Sequence, residues 1–517
     1  MSDTQPSQNL SVVEKVGYSL GDLAANLIFQ TLVTFLAFFY TNVVGISAEK
    51  ASVIMFSAGL IGALIFTPLM GFIADRTVTR WGKFRPWLLW TSVPFGVSAL
   101  LAFSAPNLSP DGKVTYAFVT YLLLLAVYAA NNLPYSALSG VLTGNMADRN
   151  SLSSYRFVAV MFAQFVIQVL LLPLVLIVGH GDEALGFRST MLCFSLMGIA
   201  CFLIAFFTTR ERILPIAADR SKVLQDVRDL LGNVPWMIML VVTVLVFMTL
   251  ALKGGFYIYF FRNYLSAGAL AAFLNDIGFN HFIGGLNASL RAIGLTEFKW
   301  PDDAPTSAFA LFNACAIVAM LSGIGFSRSC ANRFGKRNTF ATALFISTIF
   351  VFAFSYVPPG GVALCFIAQA LHGFFYGVTI PLLWAMIADV ADYSEWKSNR
   401  RATAIVFSAM LLGLKAGLSI GGAMVAGILA RYHYDAQLAV QAADTVHGIQ
   451  IGVSVYASLP FVAAVALLYF YCIDKKMETQ IETDLRQRRV LSADRLAALR
   501  RSLVTERVQP HAEREDA

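Results

Sequence analysis

The sequence predicts an all-α membrane protein: twelve transmembrane helices in two six-helix halves, with both termini cytoplasmic. Three observations carry that expectation. Of 517 residues, 57% are hydrophobic and 13% charged, whereas a soluble domain carries about a quarter charged residues. Twelve apolar stretches each approach the ~20 residues that cross a bilayer. Lys and Arg gather in every second loop, the signature of cytoplasmic connections.

The expected spans are 17–40, 51–74, 86–104, 114–138, 156–179, 188–209, 235–260, 307–327, 339–357, 362–388, 402–430 and 450–473. The 42 Phe suit lipid-facing and inter-helix surfaces, and the 37 Gly suit close helix approach. Basic residues follow spans 2, 4, 6, 8 and 10: Arg76, Arg80, Lys83 and Arg85, then Arg149, then the Arg210–Arg228 group, then Arg328–Arg337, then Lys397, Arg400 and Arg401. The opposite loops hold fewer, such as Lys50, Lys113, Arg188 and Arg431. The first 15 residues are polar and lack a signal-peptide pattern. The net charge of +7 is this loop bias plus a basic tail, which does not argue for nucleic acid. Six scattered cysteines have no metal-ligand spacing and read as free packing thiols.

Residues 1–209 form the expected first half, 210–234 a polar cytoplasmic linker, and 235–474 the second half. An extracytoplasmic insertion, 263–306, interrupts the second half with apolar stretches too short and Gly-broken to span. The tail, 475–517, reads as a solvated or membrane-surface helix. Each half carries a similar basic turn between its second and third spans: Arg80-Trp81-Gly82-Lys83-Phe84-Arg85 and Arg333-Phe334-Gly335-Lys336-Arg337-Asn338. Matched turns are the trace of a duplication, and two six-span repeats are the major facilitator plan, with substrate between the halves.

Only Asp22, Lys253 and Lys415 place charge well inside the expected spans, and such residues are functional candidates because hydrocarbon penalises charge. Polar side chains fall on helical stripes. Asp22, Asn26 and Gln30 share a face of span 1; Tyr128, Asn132 and Tyr135 share one of span 4. Gln369, His372 and Tyr376 line span 10, followed by Trp384; Tyr257 lies one turn past Lys253; Ser408, Lys415 and Ser419 follow one side of span 11. Each amide or Tyr taken singly reads as an inter-helix hydrogen bond. Together they describe a polar cavity suited to a neutral, polyhydroxylated ligand. The sequence holds no P-loop, zinc motif or nucleophile triad, so neither an enzyme, an ATP-driven pump nor a cofactor is expected.

The chain resembles the glycoside–pentoside–hexuronide:cation symporters of the major facilitator superfamily over nearly all twelve spans. The marks are Gly21-Asp22, Tyr40-Thr41-Asn42, Pro68-Leu-Met-Gly71, Arg80-Trp-Gly-Lys-Phe-Arg-Pro-Trp87, Asn132-Leu-Pro134-Tyr135, Tyr155-Arg156-Phe157, Tyr257-Ile-Tyr-Phe260 and Asp389-Val-Ala-Asp392-Tyr393-Ser-Glu395. The resemblance implies a sugar carrier of the bacterial inner membrane, with sugar held at Asn26, Asn132 and Arg156. Both acids the family uses there are amides here. Tyr128, Tyr257, Tyr376 and Trp384 join the expected sugar contacts as ring faces. The family's two span 2 sodium-ligand acids correspond to Ala63 and Thr67, so sodium coupling through that site is expected to be lost.

Two readings of Asp22 stand. Paired with Lys415 when deprotonated, it couples sugar to proton entry, since a protonatable carboxylate in a cavity is the usual proton carrier. Alternatively, Asp22 and Lys415 form a static pair in a uniporter. His372 is a third coupling candidate. Arg80, Lys83 and Arg85 on one half face Asp389, Asp392 and Glu395 on the other as a candidate cytoplasmic gate. A sugar sensor that binds without transport is the competing function.

Overall fold

A computed structural model describes residues 10–143, 146–212, 232–292, 303–398, 403–438, 440–485 and 487. Most of the linker, Trp300, Pro301 and Asp302 of the insertion, Arg400, Arg401 and the tail past residue 487 lie outside the described residues. In chain order the helices of the first half are α1 (Val12–Val43), α2 (Ala48–Ala74), α3 (Arg85–Ala102), α4 (Pro110–Leu142), α5 (Ser151–Gly179) and α6 (Glu183–Thr208). Then come α7 (Val234–Tyr264), α8 (Ala267–Asp276), α9 (Phe279–Ala292), α10 (Ala304–Phe334), α11 (Lys336–Tyr356), α12 (Val362–Lys397), α13 (Ala409–Arg431) and α14 (Ala443–Tyr469).

Eleven of these are long and apolar enough to cross a membrane. The expected third span is α3, which has 18 residues; at 1.5 Å per residue it extends about 27 Å. It packs between α4 and α6, so the count of twelve rests on this one shorter helix.

Most helices begin earlier or end later than the apolar stretches suggest, because polar caps extend them. Ser11 accepts from the Glu14 N–H, and the Glu14 side chain accepts from the Ser11 N–H, a reciprocal cap that starts α1 at Val12. Asp182 caps α6 through the N–H groups of Ala184 and Leu185, and Asp303 caps α10 through that of Thr306. Within α2, residues Gly62–Phe66 take a π turn just before Pro68, which has no N–H to give. The Thr67 hydroxyl donates to the Gly62 carbonyl at 3.1 Å across that turn.

The two halves meet along α1 with α7, α2 with α13, and α5 with α10. Within the second half, α7 and α13 approach almost backbone to backbone. A Cβ on Gly417 would lie 2.3 Å from the Val244 carbonyl oxygen, and one on Gly421 would lie 2.4 Å from that of Met248. This is the small-residue spacing that close helix pairs in lipid require.

The insertion holds two short helices, α8 and α9, and α8 seats Leu270 and Leu274 in the core. The beginning of the tail departs from expectation. Residues 475–485 are helical and bury Ile481 and Leu485 against the second half, while Asp484 accepts from the Trp396 indole N–H at 2.8 Å. It packs on protein rather than lying in solvent, because its apolar residues recur at helical spacing.

A cavity between the halves

In the first half, Arg156 projects from α5 onto Asp22 of α1. Its Nε lies 2.5 Å from Asp22 Oδ2 and its Nη2 lies 3.4 Å from Oδ1. Tyr18 and Tyr135 hold the pair in place. Their rings stack at 4.5 Å, each hydroxyl donates to the other's backbone carbonyl at 2.7 Å, and the guanidinium carbon sits 5.6 and 5.8 Å from their centroids. The Asp22 side chain is 8% exposed and that of Arg156 30%, so the arginine is the more accessible member. The expected pairing of Asp22 with Lys415 is therefore not formed. Arg156 comes from a helix packed against α1 in the same half, and it satisfies the carboxylate first. Arg156 also falls within a spanning helix, five residues past the start of α5.

Asn26 donates to the Asp22 backbone carbonyl at 2.9 Å, which leaves its amide oxygen free to accept. Asn132 is half-buried and has no hydrogen-bond partner among the described residues. Tyr135, expected on the same stripe, is fully buried in the Tyr18 clamp. Tyr128 stacks on Phe29 at 5.5 Å, and Lys415 Nζ lies 5.7 Å from its ring. Lys415 faces a pocket with Gly59, Ala63, Thr67, Tyr128 and Ser419, and no carboxylate lines it. Among the described residues Lys415 has no ion-pair partner.

In the second half, Lys253 Nζ contacts His372 Nε2, and His372 Nδ1 meets Ser347 Oγ at 2.9 Å. The Tyr257 hydroxyl donates to Gln369 Oε1 at 2.7 Å, and the Tyr376 ring lies parallel to His372 at 5.9 Å. Trp384 is half-buried farther along α12. Among the described residues, no cluster of His, Cys, Asp and Glu could hold a metal ion.

At the end away from the basic loops, contacts tie one half to the other. Thr41 and Tyr259 share a hydroxyl–hydroxyl bond of 2.8 Å, Asn42 donates to the Tyr434 hydroxyl at 2.9 Å, and Arg262 pairs with Glu183 at 2.7 Å. At the basic end, Arg80, Arg85 and Asp389 of the expected gate make contacts within their own halves. Arg85 donates twice to the Phe206 carbonyl, and Lys336 pairs with Asp389 at 2.7 Å and with Glu478 at 2.8 Å. The guanidinium of Arg80 lies over Trp81 and the ammonium of Lys83 over Phe84, while Asp392 and Glu395 continue along α12 past Asp389.

Sequence reasoning missed Glu211, which accepts from the backbone N–H groups of Lys83, Phe84 and Arg85 at 2.9, 2.7 and 2.8 Å. Lys15 donates to the Asp148 side chain, and with the Leu10 N–H holds that carboxyl below the usual range. Ser347 and Tyr434 were also missed. No local pattern flags them, since each acts on a partner from a different helix.

The family described as MFS/sugar transport protein matches residues 17–294 and 305–475. The chain is 34% identical over 482 residues to the putative glycoside/cation symporter YagG of Escherichia coli (strain K12), covering 92% of this chain and 95% of that one. It is 33% identical to the inner membrane symporter YicJ of the same organism, with the same coverage. It is 31% identical over 493 residues to the isoprimeverose transporter of Lactiplantibacillus pentosus, covering 92% and 91%. Among solved structures, a bacterial homolog of the lysosomal transporter Spinster in an inward-facing, unoccupied conformation superposes with TM-score 0.59 at 14% identity, covering 89% of this chain and 97% of that one. The nucleoside transporter NupG gives 0.56 at 14%, covering 87% and 98%. At these identities the solved structures establish the fold alone.

Proposed function

We propose that this chain, which belongs to the MFS/sugar transport protein family, couples sugar entry to protons through the Asp22–Arg156 pair. It is a multi-pass inner membrane transporter rather than an enzyme, and it moves a sugar or glycoside by secondary transport. Its substrates are a sugar and a coupling cation. The observation that carries the proton reading is the ion pair itself. While Asp22 is ionised, two guanidinium donors of Arg156 are spent on its carboxylate. Protonation removes that attraction and frees the donors for sugar hydroxyls beside Asn26 and Asn132. Sugar and proton then each favour the other's binding, as linkage requires.

Sodium has no comparable place. It is a hard cation that needs several oxygen ligands and compensating charge. Ala63 offers no side-chain oxygen, the Thr67 hydroxyl, which donates to the Gly62 carbonyl, would be a single neutral ligand, and Lys415 adds positive charge in the same pocket. The tie across the halves at the far end suits a carrier with its outer gate shut. In the opposite phase of the cycle, Arg80, Lys83 and Arg85 would meet Asp389, Asp392 and Glu395 to shut the basic end.

A second reading, facilitated diffusion, is favoured by the tyrosine clamp, which would equally suit a static pair. Isoprimeverose, named for one relative, is the first sugar to test, alongside glucosides, galactosides, xylosides and uronides. In proteoliposomes with an imposed pH gradient, wild-type protein accumulates sugar uphill and Asp22→Asn only equilibrates it. Uphill uptake by Asp22→Asn would remove Asp22 as the coupling group. Absence of uphill uptake in wild type, with exchange intact, would establish the uniporter. Binding without exchange would mean a sensor.

A further inference from the structure

The second half buries an ionisable pair that the Asp22 scheme does not use. Lys253 of α7 lies against His372 of α12, and the imidazole is 0% exposed. The two cannot both be cations, because like charges in contact in a low dielectric repel strongly. With Lys253 charged, its ammonium donates to His372 Nε2, so the ring is neutral and carries its proton on Nδ1. That proton points to Ser347, whose hydroxyl lies at 2.9 Å and whose carbonyl lies at 3.3 Å.

When the pair loses a proton the chain of hydrogen bonds survives. The lysine amine can accept from Nε2–H, and the Ser347 hydroxyl can turn to donate to Nδ1. The site therefore exchanges one proton with water without leaving a buried polar group unsatisfied.

Among the described residues, no carboxylate pairs with Lys253 to fix it in the charged state. From α7 the neighbour is Tyr257, whose ring lies 6.0 Å from Lys253 Nζ and whose hydroxyl is bonded to Gln369. From α12 come Tyr376, its ring 5.6 Å from Nζ, and Cys365, which is buried near Tyr257. From α10 the group against Tyr257 is Phe312, from α11 it is Ser347, and from α14 it is Phe461 stacked on His372. On α13 the ionisable residue is Lys415, directed at Tyr128; on α1 it is Asp22, held by Arg156. Lys253 is half-buried where His372 is fully buried, so the lysine is the more exposed end of the pair. A buried lysine without a carboxylate costs several kcal/mol in principle, and an apolar pair would serve packing better.

We infer that Lys253, His372 and Ser347 form a proton-binding site of the second half, separate from Asp22, that takes up and returns one proton in the transport cycle. It rests on the chain being a transporter but not on Asp22 being its coupling group.

The test uses full-length protein labelled with ¹⁵N-histidine in lipid. The chain has 6 histidines, and His372→Gln identifies the His372 signals by their loss. Between about pH 5 and pH 9, the His372 ring is expected to stay neutral while its proton shifts from Nδ1 to Nε2, and Lys253→Met is expected to abolish that midpoint. Counterflow of labelled isoprimeverose should show a pH transition at the same midpoint, kept in Asp22→Asn and lost in Lys253→Met. A His372 ring with no midpoint, or one that titrates unchanged in Lys253→Met, overturns the proposal. Should His372→Gln fail to fold, as judged by size-exclusion elution, His372→Asn retains the Ser347 contact and serves the same assignment. Uphill uptake surviving in Asp22→Asn would defeat the earlier scheme while leaving this titration intact, so the two failures are distinguishable.

Discussion

In the proposed scheme Arg156 has two demands on one guanidinium, the Asp22 carboxylate and the sugar. It is the exposed member of a pair whose carboxylate is buried, so any group that competes for it must come from the cavity. Asp22→Asn should retain counterflow but lose accumulation, measured with labelled sugar in vesicles. Asn132→Ala removes a half-buried amide that has no hydrogen-bond partner among the described residues. It should weaken binding by about 1–2 kcal/mol, on the order of a tenfold rise in half-saturation concentration. Replacing sodium by choline should leave uptake unchanged, because Ala63 and Thr67 cannot assemble a cation shell. At this scale Asp22 was legible as the one deep carboxylate of its half. Its partner was not legible: Arg156 lies 134 residues away, and only packing of α5 on α1 joins them.

At the level of elements, caps and glycines decide lengths and approaches. Each expected span overlaps a helix, eleven of them long and apolar enough to cross a membrane, but α4 begins at Pro110 because Ser109 caps it through the Gly112 N–H. Gly417→Val would drive a side chain into the Val244 carbonyl. Overpacking of this kind costs about 1–3 kcal/mol, so the purified variant should melt several degrees below wild type. The tail offers a second prediction. Truncation after residue 474 removes Ile481, Leu485 and the Glu478 contact to Lys336, and should lower thermal stability. The sequence pointed to a helix there, while its docking depends on the surface that the second half presents.

For the whole molecule, the informative asymmetry is between its two ends. Arg262–Glu183, Thr41–Tyr259 and Asn42–Tyr434 bind half to half at the end away from the basic loops. Glu183→Gln weakens a partly exposed pair, worth about 0.5–1 kcal/mol, and should shift the population a few-fold toward an open outer gate. In a cysteine-free background, a cysteine at Asn42 should then react faster with an external, impermeant thiol reagent. An unchanged labelling rate would show that the aromatic and hydroxyl contacts hold the gate alone.

Composition, span hydropathy, loop charge and the duplicated basic turn were enough to determine a two-halved helical membrane protein. These are local or additive properties, set by the cost of leaving polar groups or charges in lipid. Which buried charges are partners was decided only by tertiary structure. Asp22 joined Arg156 rather than Lys415, Lys253 joined His372, and Lys415 was left facing Tyr128. A hydrogen bond needs two groups within about 3 Å, and that distance is fixed by how helices pack, not by where residues fall along the chain.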